Sequence, residues 1–377
     1  MSAAPEAGVW KADWTELDHA PPPGLSLRRL LDAKQMSQRE LATRTGLTPK
    51  HVNQVLAGTV TLSADVAERL SLVTGVPAHV WNRLEADHRS VLTKQQQGRN
   101  LAAERSWLNE MPINEMVQRS ELPLEPSDAA SRALQLLAYF GVASPSAWRD
   151  LWLRPNAALR QSRAFEANSG AVAAWIRAGQ LRARDMDYAA FDPVALRNLL
   201  PQLRALTMLT PRESLPAAQE ALASVGVAVV YLRAYDKSRL NGATTWAGSA
   251  RPAILLSGRY KRDDILFFTL FHEIGHLLLH GRKDTFVTDR MFVEGQDDPR
   301  EVEADQFAGR TLIPPEFDDQ LHGITTVAHA RDFASEAGIC PSIVIGRLCR
   351  EYPGAWPQNK GATVRQSLDI QDFELDR

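Results

Sequence analysis

Hydrophobic residues recur at helical spacing along most of this 377-residue chain, and β-type runs occur only in its second half. Five short amphipathic segments between Gly24 and about Arg89 predict a compact bundle of helices. Further helices are predicted over residues 127–140, 146–152, 169–178, 193–206, 215–225, 327–337 and 341–350. A β-branched run over 227–231 and a second apolar run over 253–256 predict a small sheet. The pattern is that of a mostly α protein with a small α+β domain.

The least amphipathic stretch runs from Asp264 to Gly281. Its apolar residues cover nearly every direction around a helix, which predicts a buried helix that ends at Gly281. His272 and His276 are four residues apart, so both imidazoles project from one face, about one turn apart. Burying two histidines and Glu273 in this helix is costly unless a metal ion compensates them. Two such histidines with an adjacent glutamate form the HExxH arrangement of zinc peptidases, in which the glutamate is the catalytic base.

A catalytic zinc ion needs a third protein ligand. The helix predicted to begin after Asp298 carries Glu301 on a small, apolar face, whereas Glu303 lies on a polar face. We therefore choose Glu301 as the ligand and expect Asp305, one turn on, to accept the second ring N–H of a histidine ligand. Glu301 also fits a capping box with Asp298. His280 is a competing ligand, or a residue of the second coordination shell.

The second and third N-terminal segments carry the turn signals of a two-helix unit. Ser37 and Glu40 form a capping box before the second segment, Gly46 ends it, and Thr48 caps the third. Amide and basic side chains on the outward face suit the base edges and phosphates of a DNA major groove. The expected DNA contacts are Gln38, Thr48, Lys50, His51, Asn53 and Gln54. The alternative is a helical bundle with a solvated polar face.

Charge supports a local rather than a global attraction to nucleic acid. The chain has a net charge of −2, but residues 24–89 carry nine Lys and Arg against six Asp and Glu. The sequence starts without a basic region followed by an apolar run, and no apolar segment approaches eighteen residues. We therefore expect a cytoplasmic protein that does not enter membranes.

Two families resemble separate parts of this chain. The run S-Q-R-E-L-A-T-R-T-G-L-T-P-K-H-V-N-Q-V-L-A-G at 37–58 resembles the lambda-repressor-like helix-turn-helix of HigA-type antitoxins. H-E-I-G-H at 272–276, E-V-E-A-D-Q-F-A-G-R-T-L-I-P at 301–314 and R-Y-K-R-D-D-I-L-F-F-T-L-F before them resemble ImmA/IrrE zinc metallopeptidases. The first resemblance implies a homodimer that binds operator DNA. The second implies a zincin-like fold that holds Zn²⁺ and cleaves repressor-like proteins.

These patterns and resemblances together predict five parts of the chain: an N-terminal arm (1–23), a five-helix helix-turn-helix domain (24–95), a helical middle region (96–212), a metallopeptidase domain (213–350) and a C-terminal tail (351–377). The predicted function is a DNA-binding regulator whose zinc endopeptidase domain cleaves a repressor, another partner or itself in a stress, phage or toxin–antitoxin response. The alternative is a HigA-like antitoxin and autorepressor whose peptidase-like domain only senses metal or binds the cognate toxin.

Two further parts of the predicted active site are the sheet edge that binds substrate and the group that stabilises the oxyanion. The run Ala253–Ser257 is the candidate sheet edge that would hold an extended substrate through its backbone groups. Arg259, Tyr260 and His280 are the candidates for stabilising the oxyanion.

Overall fold

A computed structural model describes residues 20–124, 128–152, 163–236, 238–280, 285–288, 298–357, 360–368 and 370. Four features predicted above fall wholly or mainly outside these residues: the N-terminal arm, the helix start at Ser127, the helix stop at Gly281 and the end of the tail. The chain divides into two compact units, residues 1–105 with 128–131, and residues 106–127 with 132–377. No helix among the described residues is long and apolar enough to cross a membrane.

The first unit is the predicted bundle. Its helices are α1 (Pro23–Ala33), α2 (Gln38–Thr45), α3 (Pro49–Leu56), α4 (Ala64–Thr74) and α5 (Ala78–Ala103). The Ser37 and Thr48 side chains each accept a hydrogen bond, at 3.1 Å, from the backbone N–H three residues on, so both cap their helices. Gly46 turns the chain between α2 and α3 in the left-handed conformation, with φ of 68°. Leu27, Leu41, Val52 and neighbouring apolar residues form its core.

Two local expectations for this unit were wrong. Glu40 does not complete the capping box, because its carboxylate binds Arg44 at 2.7 Å, one turn further along α2. The last helix is not short, since α5 runs from Ala78 through Gly98 to Ala103. A single glycine costs a helix only about 1 kcal/mol, and the Gln96 amide donates to Asn100 at 3.1 Å across this point.

The second unit begins with helices. These are α6 (Arg105–Asn109), α7 (Ile113–Gln118), α8 (Ala129–Phe140), α9 (Pro145–Trp152), α10 (Arg163–Asp185), α11 (Pro193–Leu206) and α12 (Pro211–Ser224). Trp107, Trp148 and Trp175 are fully buried, and Trp107 and Trp148 meet edge to face. Helix α10 packs on the sheet, because the Trp175 indole donates to the Leu232 carbonyl at 2.9 Å and a Cβ on Gly179 would clash with Leu255.

The sheet contains β1 (Ala228–Tyr231), β2 (Gly242–Trp246), β3 (Pro252–Leu256) and β4 (Phe286–Thr288), in the order β1-β3-β2-β4. Strands β1 and β3 are parallel, and β2 is antiparallel to β3 and to β4. The candidate substrate edge was therefore wrong: β3 lies inside the sheet, paired on both sides. Neither β2 nor β4 was predicted, since G-A-T-T-W lacks an apolar run and F-V-T is only three residues long.

The remaining elements enclose a long buried helix. They are α13 (Asp263–Leu279), α14 (Pro299–Leu312), α15 (Asp318–Leu321), α16 (Val327–Ala337) and α17 (Pro341–Glu351), with short 3-10 turns at Pro315–Phe317 and Ala362–Val364. Helix α13 lies between the sheet and α14, and all but a few of its side chains are buried. Gly275 allows α14 to approach α13 closely, because a Cβ at this position would lie 3.3 Å from the Ala304 Cα. This mostly helical fold with a small mixed sheet confirms the predicted fold class.

Candidate metal centre

Three predicted ligands meet between α13 and α14. The Nε2 atoms of His272 and His276 are 3.0 Å apart. Glu301 reaches both histidines, with one carboxylate oxygen 3.2 Å from His272 Nε2 and the other 3.3 Å from His276 Nε2. Among the described residues this is the group of His, Cys, Asp and Glu whose atoms could share one metal ion. Glu301 does not act as a cap, since its carboxylate turns away from Asp298 and toward the imidazoles.

The second ring nitrogen of each histidine also has a partner. His272 Nδ1 lies 2.8 Å from Asp305, as the helix periodicity of α14 predicted. His276 Nδ1 lies 3.0 Å from Nδ1 of His280, whose Nε2 lies 3.1 Å from Glu303. His280 therefore stands on the far side of His276 from Glu301 and does not join the three-residue group.

Hydrogen bonding and burial shift the pKa values of the two histidines in opposite directions. Burial alone would lower the pKa of His272, but its hydrogen bonds to Asp305 and Glu301 outweigh burial and raise that pKa to about 10. Burial dominates at His276 and lowers its pKa to about 4. Burial opposes ionisation of Glu301 as well, yet the hydrogen bonds from both histidines hold the pKa of this carboxyl well below its usual range. Without metal, the centre thus holds an ionised carboxylate beside a protonated His272 and a neutral His276, and a metal ion would have to displace the proton from His272 Nε2.

The donor set fits a divalent metal ion. Two ligand atoms held by tetrahedral zinc, with bonds of about 2.0–2.1 Å, lie roughly 3.3 Å apart. The three separations between the nitrogens of His272 and His276 and the oxygens of Glu301 are 3.0, 3.2 and 3.3 Å. Neutral imidazoles must offer lone pairs to a metal, and the partners at both Nδ1 atoms leave each Nε2 for that purpose. The site suggests a metal ion.

Strand β2 holds the predicted catalytic base. The Thr244 hydroxyl lies 2.7 Å from Oε2 of Glu273 and 3.0 Å from the Glu273 backbone carbonyl, so it can donate to either. A Cβ on Gly242 would lie 2.8 Å from Glu273 Oε1 and 2.5 Å from a Thr269 methyl carbon. Gly242 therefore lets β2 approach the carboxylate, and Thr244 orients it. Sequence reasoning missed both, and the only available signal was the pair of small residues in G-A-T-T-W.

Replacing Thr244 with valine should destabilise the fold. The two side chains have the same shape, but valine leaves the completely buried Glu273 carboxylate without its hydroxyl donor, and such a loss costs about 1–3 kcal/mol. Urea unfolding monitored by circular dichroism measures this difference. Thr244→Ser keeps the hydroxyl and should recover most of the stability. Equal stability of the valine and native proteins would show that Glu273 does not depend on this hydrogen bond.

The metal centre is almost completely shielded from solvent. His272 and His276 are each 1% exposed and Glu273 is fully buried. Phe286 of β4 stacks on the His276 ring at 4.1 Å, with an angle of 10° between the planes. Solvent reaches the centre mainly beside Glu301 and Asp305, whose side chains are 16% and 22% exposed.

The structure separates two oxyanion candidates from the centre. Arg259 and Tyr260 precede α13, and His272 lies nine residues after the first residue of that helix. At 1.5 Å per residue this is roughly 13 Å along the helix axis. The backbone of Arg259 and Tyr260 is therefore far from the metal centre, and the Arg259 guanidinium donates to the Arg239 carbonyl at 2.8 Å. Of the three candidates, only His280 lies beside the metal ligands.

The predicted DNA contacts occupy the outer side of α2 and α3. Gln38, Thr48, Lys50 and Asn53 are exposed, and Gln54 is half-buried. His51 departs from the expectation, because its Nε2 is shielded from solvent and has no hydrogen-bond partner. Its backbone N–H is the group that Thr48 caps.

Comparison with known proteins identifies both regions. Residues 27–81 match the family model described as helix-turn-helix, and residues 223–329 match the model of the IrrE N-terminal-like domain, a peptidase-type family. Among solved structures, the chain is similar to an addiction module antidote protein of a HigA family from Coxiella burnetii. That match has 24% identity and a TM-score of 0.21, and it covers 23% of this chain and 95% of that one. No curated protein matches this chain. The chain thus carries a helix-turn-helix domain followed by an IrrE-like domain.

Proposed function

We propose that this protein is a DNA-binding regulator whose IrrE-like domain is a zinc-dependent endopeptidase that cleaves a repressor-like partner or itself. One observation carries the proposal: His272, His276 and Glu301 converge at metal-ligand separations with Glu273 beside them. His272, His276 and Glu301 hold the ion, and Asp305 and His280 support the two imidazoles. The helix-turn-helix domain brings the same chain to operator DNA as a homodimer, which requires the protein to act in the cytoplasm.

The chemistry follows from the positions of the chain's own residues. A zinc ion held by His272, His276 and Glu301 would polarise a scissile carbonyl and would lower the pKa of a bound water to roughly 7. Glu273 accepts the proton of the attacking water on its carboxylate and passes it to the leaving amine. Thr244 holds that carboxylate in one orientation. Asp305 accepts a hydrogen bond from the Nδ1–H group of His272, so that Nε2 keeps its lone pair.

A second function is favoured by the burial of the centre. Glu273 is 0% exposed, and a substrate must reach it before it can act. A metal-loaded but closed domain suits an antitoxin and autorepressor whose C-terminal domain senses metal or binds a toxin. This alternative needs operator DNA but no cleavage, and it needs zinc where the domain senses metal.

Metal analysis joined to a cleavage screen separates the two functions. Purified protein should contain about one zinc per chain by elemental mass spectrometry. It is then incubated with a proteome-derived peptide library, and new peptide ends and any self-cleavage are identified by mass spectrometry. Cleavage that disappears on chelation supports the peptidase. Zinc without cleavage of the library or of the chain itself supports the sensor or antitoxin. A protein that does not bind zinc at all contradicts the zinc peptidase and the metal sensor, and it leaves only the antitoxin that binds a toxin.

DNA recognition should depend on the outward face of α3. We expect the triple variant Lys50→Ala, Asn53→Ala, Gln54→Ala to lose sequence-specific binding by about a hundredfold or more, because each lost base contact costs about 1–3 kcal/mol. His51 is left in place because its ring is partly buried. The measurement is fluorescence anisotropy on DNA selected from a random pool by the native protein.

The matched control for α3 is Lys34→Ala, which removes an equal charge just after α1. This variant should keep sequence discrimination and lose only a small, salt-dependent part of the affinity. If the triple variant still distinguishes the selected sequence from random DNA, α3 is not the recognition helix.

A further inference from the structure

A basic pocket lies in the second unit, between the loop after β1, the turn after β3 and Ile370. It encloses about 510 Å³, within the range of small-molecule sites. Among the described residues that line it are four cationic side chains and one carboxylate: Arg233, Arg239, Arg259, Lys261 and Asp236. The turn that carries Arg259 precedes α13, whereas both histidine ligands lie in the second half of that helix. The proposed catalysis therefore gives this pocket no role.

Two of the guanidinium groups at the basic pocket have no carboxylate partner. Within the described part of the chain, the exposed Arg239 side chain forms no hydrogen bond or ion pair, and Arg259 forms no ion pair. Arg233 differs from them, because it pairs with Asp236 at 3.4 Å. The positive charges of Arg239 and Arg259 are thus left for an anion from outside the chain.

Neutral groups hold Arg259 in place. Its Nη1 donates to the Arg239 backbone carbonyl at 2.8 Å, and its guanidinium carbon lies 4.8 Å from the centre of the Tyr260 ring. A guanidinium carries five N–H donors, so most of those on Arg259 remain for a ligand. A side chain that is already held in one orientation loses less conformational entropy when it binds. Arg259 is therefore prepared for an anion in a way that a freely rotating surface arginine is not.

The backbone around the basic pocket has an uncommon conformation. Arg239 and Lys261 have φ of 55° and 51°, in the left-handed region that residues with a Cβ rarely adopt. Gly258 has φ of 58°, and a Cβ there would lie 2.7 Å from the Cβ of Ile370. Left-handed residues other than glycine cluster at ligand sites, where the surrounding structure fixes them. Their presence on two lining residues supports a formed site rather than a chance group of surface charges.

We propose that the basic pocket binds a small molecule that carries two or more linked phosphate groups. The planar forks of Arg239 and Arg259 match the oxygen pairs of a phosphate. Four cationic side chains are balanced better by several negative charges than by a single carboxylate. Inorganic polyphosphate and the polyphosphate of a nucleotide share this chemistry. The site requires neither the proposed metal centre nor the proposed binding of operator DNA.

Calorimetry with inorganic tripolyphosphate tests the site on the metal-free full-length chain, in which no phosphate can bind to a metal ion. We expect saturable binding that is at least about tenfold tighter than that of orthophosphate, because linked phosphates accept more charge-assisted hydrogen bonds. Adenosine triphosphate distinguishes the two sources of the phosphates. Tighter binding than tripolyphosphate assigns the pocket to a nucleotide, and equal or weaker binding assigns it to the polyphosphate alone. No saturable tripolyphosphate binding at millimolar concentration would overturn the site.

Single substitutions locate the binding in this pocket. Arg239→Gln and Arg259→Gln should each weaken tripolyphosphate binding at least about tenfold, because each removes hydrogen bonds from a charged donor. Arg331→Gln is the matched control, since it removes the same charge from an exposed position of α16 outside the pocket. We expect this control to bind within about twofold of the native protein, because a distant surface charge is screened by salt. Unfolding curves check that each variant is folded. Equal losses in Arg239→Gln and Arg331→Gln would overturn the assignment.

Two further measurements exclude other occupants of the basic pocket. Anisotropy on random duplex DNA should give the same affinity for Arg239→Gln as for the native chain; a loss for DNA with unchanged tripolyphosphate binding would make this surface a DNA contact and refute the proposal. Four acidic residues next to or after Ile370 lie outside the described residues: Asp369, Asp372, Glu374 and Asp376. If tripolyphosphate bound only after all four were changed to the corresponding amides, the chain's own acidic segment would be the occupant, and the proposal would fail.

Discussion

Replacing Glu273 with glutamine should lower peptide cleavage by about 10²–10⁴-fold, the usual contribution of a general acid–base group, and leave zinc content unchanged. The amide has the same size but cannot take a proton from water. Its carbonyl oxygen can still accept the Thr244 hydrogen bond that now reaches Oε2. The substitution therefore tests proton transfer with little disturbance of the helix. The rate is followed on the best peptide from the library screen, with metal content measured on the same samples.

A surface glutamate provides the matched control for this experiment. Glu303→Gln makes the same chemical change at a side chain that is 61% exposed, and it should retain cleavage within a few-fold of the native rate. A Glu273→Gln protein that keeps both zinc and full activity would remove Glu273 from the mechanism. Loss of zinc along with activity would instead show that the carboxylate supports the metal site.

Local spacing made the central part of this site predictable. His272 and His276 lie four residues apart, and helix geometry alone places both on one face. The wheel position of Glu301 distinguished it from Glu303, and their contacts in the fold follow that distinction. The helix-turn-helix was equally predictable, because the capping side chains of Ser37 and Thr48 each bind a backbone N–H only three residues on.

Features that depend on pairing between distant segments of the chain could not be predicted from the sequence. Strand β2 contains few apolar residues, so its place beside β3 and β4 follows from the sheet rather than from its own pattern. The roles of Gly242 and Thr244 require knowing that β2 crosses α13 at Glu273. The interior position of β3 follows from its parallel pairing with β1, which no local signal encodes. Topology was therefore needed to identify what surrounds the catalytic group.

The topology also changes where a substrate can be sought. With β3 inside the sheet, β4 is the edge strand next to the metal centre, and its Phe286 covers the His276 ring. A peptide that added to this edge would pass beside His276, opposite the side on which Asp305 holds His272.

Glu301→Gln should reduce zinc affinity by more than about a hundredfold, beyond the 10–100-fold range of a second-shell change. The amide keeps the length of the side chain but loses the negative charge that lies 3.2 and 3.3 Å from the two imidazoles. Glu303→Gln is the strict comparison, because it makes the same change two residues away and reaches the cluster only through His280. We expect its zinc affinity to fall by no more than about tenfold. Competition against a chromophoric chelator measures both affinities, and unfolding curves of the metal-free proteins check that each variant is folded. Equal losses in the two folded variants would show that Glu301 is not a ligand, and the third donor would then have to be sought elsewhere around His272 and His276.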